Sequence, residues 1–380
     1  MWARLRAVAR CAPVTVVAPL ALLDYANPNN KMLASLHVPS RRVDNGMDVL
    51  HPRWLYPPKG GWLNAFLLCA RLVWPLARLK SRQAYDVIDA HFAHPEGIAA
   101  VLSGRILRMP VVITMRGSEL RYRRHKGRMF WIGWALRRAA RVITVSEGLR
   151  QLALELGVDA ARTKVIPNGV DTRVFFRRNR QACRRALDLS DGERIILCAG
   201  DLAELKGHHK VIRALTALDE CGIVARLIIA GGVGRSGRYA ATLRQQVADF
   251  NLHDRVQFAG EMKQERLAEL MCAADVFCLA SSSEGWPNVV NEALACGTPV
   301  VATDVGAVRQ MLTSSDYGFI VPVDDPRALA DALGSAMTRR WDHNAISAAG
   351  RSRSWDDVAR EVLEQLSAAV ADHTVSREPR

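Results

Sequence analysis

The chain has no run of about 18 apolar residues, the length a helix needs to cross a membrane, so no transmembrane helix is expected. Its eight cysteines (Cys11, Cys69, Cys183, Cys198, Cys221, Cys272, Cys278, Cys296) contain no Cys-x-x-Cys pair. In a chain this long that argues against a disulfide framework and for a reducing compartment, with most of the thiols buried as small apolar side chains. A Gly-x-x-x-x-Gly-Lys-Ser/Thr loop is missing, which disfavours ordinary nucleoside triphosphatase chemistry. No Gly-x-Ser-x-Gly elbow occurs, so no serine hydrolase of that type is expected. There is no Asp-x-Asp pair on a loop between strands, hence no obvious clamp for a divalent metal on a diphosphate, and no metal site is expected. No low-complexity segment or internal repeat appears, and no recognised nucleic-acid module accompanies the basic character.

What is present is 380 residues with 49% apolar content, enough for about two packed domains. The net charge of +14 is placed unevenly. Residues 1–165 hold 26 of the 52 lysines and arginines and 10 of the 38 acidic residues, a balance of +16, which leaves −2 for the remainder. A basic first half suits an anionic partner such as membrane lipid or a phosphorylated acceptor.

Strand-like and helix-like stretches alternate along the chain, which argues two doubly wound α/β domains with parallel sheets. Met1 to Arg10 is basic and Cys11 to Leu23 apolar, an imitation of a secretory signal. The favoured alternative is a helix end followed by a buried strand at Val14–Ala18. Leu33 to Lys59 reads as irregular and Pro-rich. Trp62 to Arg82 reads as a helix that Pro75 would kink, with Trp62, Phe66, Leu67, Trp74 and Leu76 among Arg71, Arg78, Lys80 and Arg82. A strand at Val87-Ile88 precedes Asp89-Ala90-His91, and one at Val111–Thr114 precedes Arg116-Gly117-Ser118-Glu119. A second basic, aromatic stretch runs from Arg121 to Trp131. Domain boundaries are set at 1–167, a connector at 168–190, a second domain at 191–355, and a C-terminal helix and tail at 356–380.

One stretch carries the most chemistry. An apolar strand, Asp275 to Ala280, enters Ser281-Ser282-Ser283-Glu284-Gly285-Trp286-Pro287-Asn288-Val289-Val290-Asn291-Glu292. Pro287 sits where the first helical residue favours proline, and Gly297 stands where a helix stops. Glu284 therefore lies on a loop at a strand's carboxyl end, and Glu292 one to two turns into a helix. Between them a helix start offers amides to an anion. A second loop, Gly200-Asp201-Leu202-Ala203-Glu204-Leu205-Lys206-Gly207, places Lys206 before another helix start, where a cation misfits the dipole unless it meets a diphosphate. His91, with His94 an equal competitor on spacing, and Arg116 lie at strand ends of the first half. There they suit a hydroxyl and an anion respectively. A tight loop, Gly231-Gly232-Val233-Gly234, is a weaker signal of the same kind.

Glu284-Gly285-Trp286-Pro287-Asn288-Val289-Val290-Asn291-Glu292-Ala293 resembles the Glu-x7-Glu motif of retaining glycosyltransferases of family 4, which have the GT-B fold of two Rossmann-like domains facing a cleft. Ala295 to Thr303 is similar to the run behind that motif, Gly200 to Gly207 to the phosphate loop, Asn168-Gly169-Val170-Asp171 to the interdomain turn, and Asp86 to His91 to the strand presenting an active-site histidine. The closest flavour is that of enzymes building bacterial exopolysaccharide, capsule or teichuronic-type polymers. The resemblance implies that Glu284 meets donor-sugar hydroxyls, Glu292 the ribose, Lys206 the leaving diphosphate, and His91 the transferred sugar. Gly200, Gly285, Asn288 and Val289 would line the donor, with Asn288 and Val289 offering backbone N–H groups. It implies metal-independent transfer from a UDP- or GDP-linked sugar, with no separate cofactor, to a lipid-linked or growing saccharide, in the cytoplasm at the inner membrane face. Two departures stand out: Asp201 where the family often has Arg, and a chain that begins after the family's first strand and Gly-rich loop. A catalytically degenerate binding paralogue and a sugar-nucleotide epimerase or phosphorylase on the same fold are the alternatives.

Overall fold

The computed structural model describes residues 1–22, 34–57, 60–83, 85–233 and 237–375. It divides into two compact units. The first holds the chain up to Asn168 together with the C-terminal stretch from Trp355, and the second is Gly169–Ser354. The stretch read as a connector from 168 to 190 thus folds, from Gly169 on, with the second unit, and the last helix returns to the first.

In the first unit the chain runs α1 (Trp2–Ala9), β1 (Thr15–Val17), β2 (Leu20–Ala21), β3 (Arg41–Asp44), β4 (Met47–Leu50), β5 (Arg53–Trp54), α2 (Leu63–Gln83), β6 (Ile88–His91), α3 (Ile98–Leu107), β7 (Val111–Met115), α4 (Lys126–Arg138), β8 (Arg141–Thr144), α5 (Glu147–Glu155) and β9 (Thr163–Val165). Strands β6-β7-β8-β9 form a parallel sheet in that order, with helices as crossovers. Their apolar runs are the mark of strands covered on both faces, and every residue of β7 is buried. A separate sheet, β1-β4-β3, and a small β2-β5 pair complete the unit.

The basic start of the chain is α1, and the strand expected at Val14–Ala18 is β1. Leu33–Lys59 is less irregular than expected, since β3 and β4 form an antiparallel hairpin there. Its two-residue turn is Asn45-Gly46, both at positive φ (48° and 80°). That is the dipeptide a twisted hairpin favours, and the prolines around it obscured the signal. Leu23, Leu33, Lys59 and Gly234 lie outside the described residues. Pro75 sits inside α2, which continues past it.

The second unit runs α6 (Arg180–Ala186), β10 (Ile195–Ala199), α7 (His208–Glu220), β11 (Arg226–Ala230), α8 (Arg238–Asp249), β12 (Val256–Gly260), α9 (Gln264–Ala273), β13 (Val276–Leu279), α10 (Asn288–Ala295), β14 (Val300–Thr303), α11 (Val308–Met311), β15 (Gly318–Val321), α12 (Pro326–Thr338) and α13 (His343–Gly350). Its six strands are all parallel, in the order β12-β11-β10-β13-β14-β15. Two apolar layers cover the two faces of this sheet, one around Phe277, Leu279, Val290 and Leu294, the other around Leu215, Ile229, Val276 and Leu333. Each such aliphatic or aromatic side chain, fully buried, contributes about 1.5–3 kcal/mol.

The chain then returns to the first unit as α14 (Trp355–Val375). Trp355, Val358 and Val362 pack with Ala7 and Val8 of α1 and with Val112 and Ile143 of the sheet. This helix outruns its expected end near Ala369 by almost two turns, and residues 376–380 of the expected tail are outside the described residues. Six of the eight cysteines are buried and none is paired, as their apolar surroundings in the sequence imply.

Candidate active site

In the second unit the strand order reverses between β10 and β13. In a doubly wound sheet, crossovers leave that point in opposite directions, and a crevice opens beyond the carboxyl ends of the two strands. The loop after β10 carries Gly200 to Gly207, and the loop after β13 carries Ser281 to Pro287. The two loops are fitted to each other. Ser282 N donates to the Leu205 carbonyl at 2.8 Å. Gly207 has φ +69°, and a Cβ there would stand 2.0 Å from the Ala280 carbonyl oxygen, so only glycine fits. A Cβ on Gly231, at the end of β11, would stand 1.9 Å from the Gly200 oxygen, which places the third glycine loop against the first.

This fit brings two of the expected residues together. Lys206 Nζ lies 2.7 Å from Glu284 Oε1, and Ser281 Oγ donates to the same oxygen at 2.8 Å. Ser281 is fully buried and is held in turn by Thr303 of β14, whose hydroxyl donates to the Ser281 carbonyl at 2.6 Å. The Lys206 stem runs over Gly200, where a side chain would meet it. Lys206, left open to a ligand by its position in the sequence, therefore already has a partner, while Glu284 Oε1 is fixed from two sides. Asp201 is exposed at the loop's start. Its carbonyl faces His208 Nε2 at 3.3 Å, and burial at the head of α7 holds the His208 imidazole down to about 4.

Helix α10 begins at Asn288, with Pro287 as its cap rather than its first residue. Its opening amides, those of Asn288 and Val289 among them, have no acceptor within the helix. Glu292 sits on its second turn, where burial pushes its carboxyl up to about 7. Trp286 Nε1 is a buried donor without a partner beside Gly285. Among the described residues, no group of three or more His, Cys, Asp or Glu side chains could hold a metal ion.

The first unit holds the other candidates. His91 is the last residue of β6, not a loop residue after it, because the strand runs through Asp89 and Ala90. Arg116 follows β7, the neighbouring strand, and its Nε donates to His91 Nδ1 at 3.0 Å. On the other side of the ring, His91 Nε2 lies 3.3 Å from Asp89 Oδ2, close but off line for a good hydrogen bond. Asp89 is also held by Arg4 NH2 at 2.9 Å. Burial alone would raise the Asp89 carboxyl, but Arg4 first, then His91 and Arg116, outweigh it and hold it well below the usual carboxylate range. Burial, with Arg4 and Arg116 adding to it and Asp89 opposing, brings His91 down to about 4, so the ring is neutral at neutral pH. Burial, then Arg4, lowers Arg116 to about 9, still a cation at neutral pH. Arg116 NH2 and Ser118 Oγ are buried donors without partners. Glu119, fully buried, accepts from Ala93 N and Gly117 N at 2.9 Å each and so pins the loop after β6 to the loop after β7.

His94, the competitor of His91 on spacing, does not join this group. It is buried in an edge contact with Tyr122, with both ring nitrogens unpartnered. Arg4, Asp89, Ser281 and Thr303 were not singled out from the sequence. Asp89 alone left a trace there, as a carboxylate inside an apolar strand.

Two family models match the chain in tandem. That of Glycosyltransferase Family 4 covers residues 14–174, and that of Glycosyl transferases group 1 covers residues 179–353. The chain is 30% identical over 337 residues to a putative teichuronic acid biosynthesis glycosyltransferase, TuaC, of Bacillus subtilis, covering 87% of this chain and 79% of that one. It is 32% identical over 282 residues to the lipopolysaccharide core biosynthesis mannosyltransferase LpsB of Rhizobium meliloti, covering 73% and 75%. Other curated relatives, at 27–34% identity, are spanned over only about half to two thirds of their length. In fold it is similar to the structure of Anabaena HepE in complex with UDP, at a TM-score of 0.74 and 21% identity over 96% of this chain and 95% of that one. Tandem Rossmann-like units, the Glu284–Glu292 helix start and these matches agree: the chain belongs to the family 4, group 1 glycosyltransferases of the GT-B fold.

Proposed function

We propose that this protein is a retaining glycosyltransferase that moves a sugar from a nucleotide donor to a lipid-linked or growing saccharide in cell-surface polysaccharide synthesis. The observation that carries the reading is the Lys206–Glu284 pair, 2.7 Å apart at the β10/β13 switch point and between the starts of α7 and α10. A sugar nucleotide offers such a place a diphosphate and hydroxyls. Lys206 and the α10 amides take the diphosphate, Glu284 the sugar hydroxyls and Glu292 the ribose, while His91 serves the transferred sugar.

In the reaction the bond from the anomeric carbon to the diphosphate oxygen breaks, and the acceptor hydroxyl oxygen bonds to that carbon from the same face. The hydroxyl's proton goes to the departing diphosphate. Charge grows on that leaving group, and a preorganised cation with helix amides stabilises it without reorganisation. On this reading transfer persists in EDTA. The alliance with surface polymers is supported by the TuaC and LpsB likenesses.

A peripheral site on anionic lipid at the inner membrane face fits the first unit. Trp74 and Phe130 are 65% and 62% exposed on α2 and α4, and Arg78 and Arg138 stack over Trp74 and Trp134. Among the described residues no helix is long and apolar enough to cross a membrane.

The test is release of nucleoside diphosphate from a panel of UDP- and GDP-linked sugars, with and without a lipid extract as acceptor, read with the melting temperature. Acceptor-dependent release from one donor, accompanied by thermal stabilisation, supports the reading. Stabilisation without transfer makes the chain a binding paralogue. Neither, across the panel, overturns it.

A further inference from the structure

Arg4 is the second residue beyond the start of α1's opening turn, yet it is only 2% exposed. An arginine is buried this deeply when its charge is matched and most of its donors are used, and here Nε is the one guanidinium nitrogen left without a partner. NH1 donates to Thr114 Oγ1 and NH2 to Asp89 Oδ2, both at 2.9 Å. Thr114 is the penultimate residue of β7 and fully buried, and its hydroxyl stands 3.5 Å from Asp89 Oδ1. The guanidinium therefore spans β6 and β7 at their carboxyl ends, on the residues two positions before His91 and Arg116.

The ring of His91 is defined by what touches it. Arg116 Nε–H donates to Nδ1, which needs the Nδ1 lone pair, so in the neutral ring the proton sits on Nε2. Nε2 faces Asp89. An unmatched carboxylate there would favour imidazolium, and imidazolium would carry a proton on Nδ1 that opposes Arg116. Burial of the ring opposes this first, and the cation on the other side of Asp89 adds to it by matching the carboxylate.

We propose that Arg4 is a positioning residue for His91: by matching the charge of Asp89 it keeps the ring neutral, with its proton on Nε2 and its Nδ1 engaged by Arg116. The helix at the start of the chain thereby sets the state of a side chain that lies beyond five strands and α2 in sequence. Its consequence for transfer rests on the function proposed above, while the state of the ring does not.

The test is the ¹⁵N spectrum of the histidine rings at pH 6.5 in the full chain, with His91 assigned by its loss in His91→Gln, alongside donor kinetics. The wild type shows a neutral ring protonated at Nε2. Arg4→Gln shifts it toward imidazolium and lowers kcat by ~10²-fold, the cost of a small misplacement of a reacting group, while the donor KM moves less than about three-fold. Arg4→Lys, which keeps the charge, retains the neutral ring, and Arg4→Gln with Asp89→Asn restores it. A neutral Nε2 tautomer in Arg4→Gln with wild-type kcat overturns the proposal, as does a ring in Arg4→Lys as charged as in Arg4→Gln. Where circular dichroism shows Arg4→Gln unfolded, Asp89→Asn carries the test: with no carboxylate left to match, the ring is expected to stay neutral, and a ring that turns to imidazolium there is then fatal. If the wild type turns over no sugar nucleotide, the functional reading fails, and the ring spectra still decide the role of Arg4.

Discussion

Lys206 and Glu284, 78 positions apart in the chain, meet across the loops that follow β10 and β13, Nζ to Oε1 at 2.7 Å. Both are largely shielded, with side chains 25% and 12% exposed, so each is the other's main charge partner until a ligand enters. Removing either frees the other to find water or to stand unmatched. Lys206→Ala and Glu284→Gln are each expected to lower sugar-nucleotide turnover by ~10²–10³-fold, the usual cost of one preorganised donor or acceptor at a developing charge. Because the residues act as a unit, the double variant is expected to lose little more than the worse single one. Initial rates on the best donor check this. Wild-type rates in both single variants would end the assignment of this pair to the donor.

Gly207 tests the fit between the same loops without touching a charge. Its φ of +69° and the 2.0 Å approach of a Cβ to the Ala280 oxygen leave no room for alanine. The left-handed backbone alone costs roughly 1–2 kcal/mol in a non-glycine residue, and the β10 and β13 loops must part as well. Gly207→Ala is expected to lower the melting temperature of the second unit by several degrees, at about 2–4 °C per kcal/mol for a domain of this size. Donor affinity is expected to fall with it, since Lys206 is the next residue. Calorimetry on the variant measures the first effect and titration with a nucleoside diphosphate the second. An unchanged melting temperature would mean that the loops are free to separate.

Much of the donor half-site was legible in the residues because local punctuation carries it. Pro287 and Gly297 bracket α10, and a glycine precedes α7, so Glu284, Glu292 and Lys206 could be set on loops and helix starts from one sequence. That Lys206 reaches Glu284 was not legible, since strand order, not spacing, brings β10 beside β13. The same holds more strongly in the first unit. Arg4 stands 85 positions from Asp89, and in sequence it is one of three arginines in the basic stretch Met1 to Arg10. Only the depth of its burial separates it from Arg6, which is half exposed. The Asn45-Gly46 turn, by contrast, was legible in the residues and passed over among prolines.

The aromatic face of the first unit makes a prediction that separates membrane contact from ordinary packing. Trp62, Phe66 and Trp131 interlock between α2 and α4, with Trp62 and Trp131 stacked at 5.8 Å, and this part reads as structure. Trp74 and Phe130 are largely exposed, Phe130 with one edge against Trp131 at 5.6 Å. Inserting a side chain of that size into lipid is worth about 1.5–3 kcal/mol, and each nearby basic residue adds about 1 kcal/mol on an anionic surface. Trp74→Ser with Phe130→Ser is expected to weaken sedimentation with phosphatidylglycerol vesicles at least ten-fold and to leave the fold intact. Neutral phosphatidylcholine vesicles are expected to bind poorly, and high salt to release the protein. Equal binding of variant and wild type would move the contact elsewhere.

Glu292 supplies a pH dependence whose sign follows from its burial. Its carboxyl is raised from 4.5 to about 7 in the folded chain, with burial as the cause. A group raised in this way binds its proton more tightly when folded than when unfolded. Its contribution is therefore most favourable below pH 4.5, declines as pH rises through the interval to 7, and is lost above it. A glutamine of the same shape has no such titration. The melting temperature of Glu292→Gln is accordingly expected to gain on that of the wild type steadily between pH 4.5 and 7 and to hold a constant margin above about 7.5. A bound sugar nucleotide is expected to change the same curve. Ribose hydroxyls donating to the carboxylate favour its ionised form, so saturating donor should move the wild-type transition below 7 and leave the glutamine variant flat. Parallel melting curves for the two proteins across pH 4.5 to 8, without ligand, would show that Glu292 is ionised throughout and already solvated.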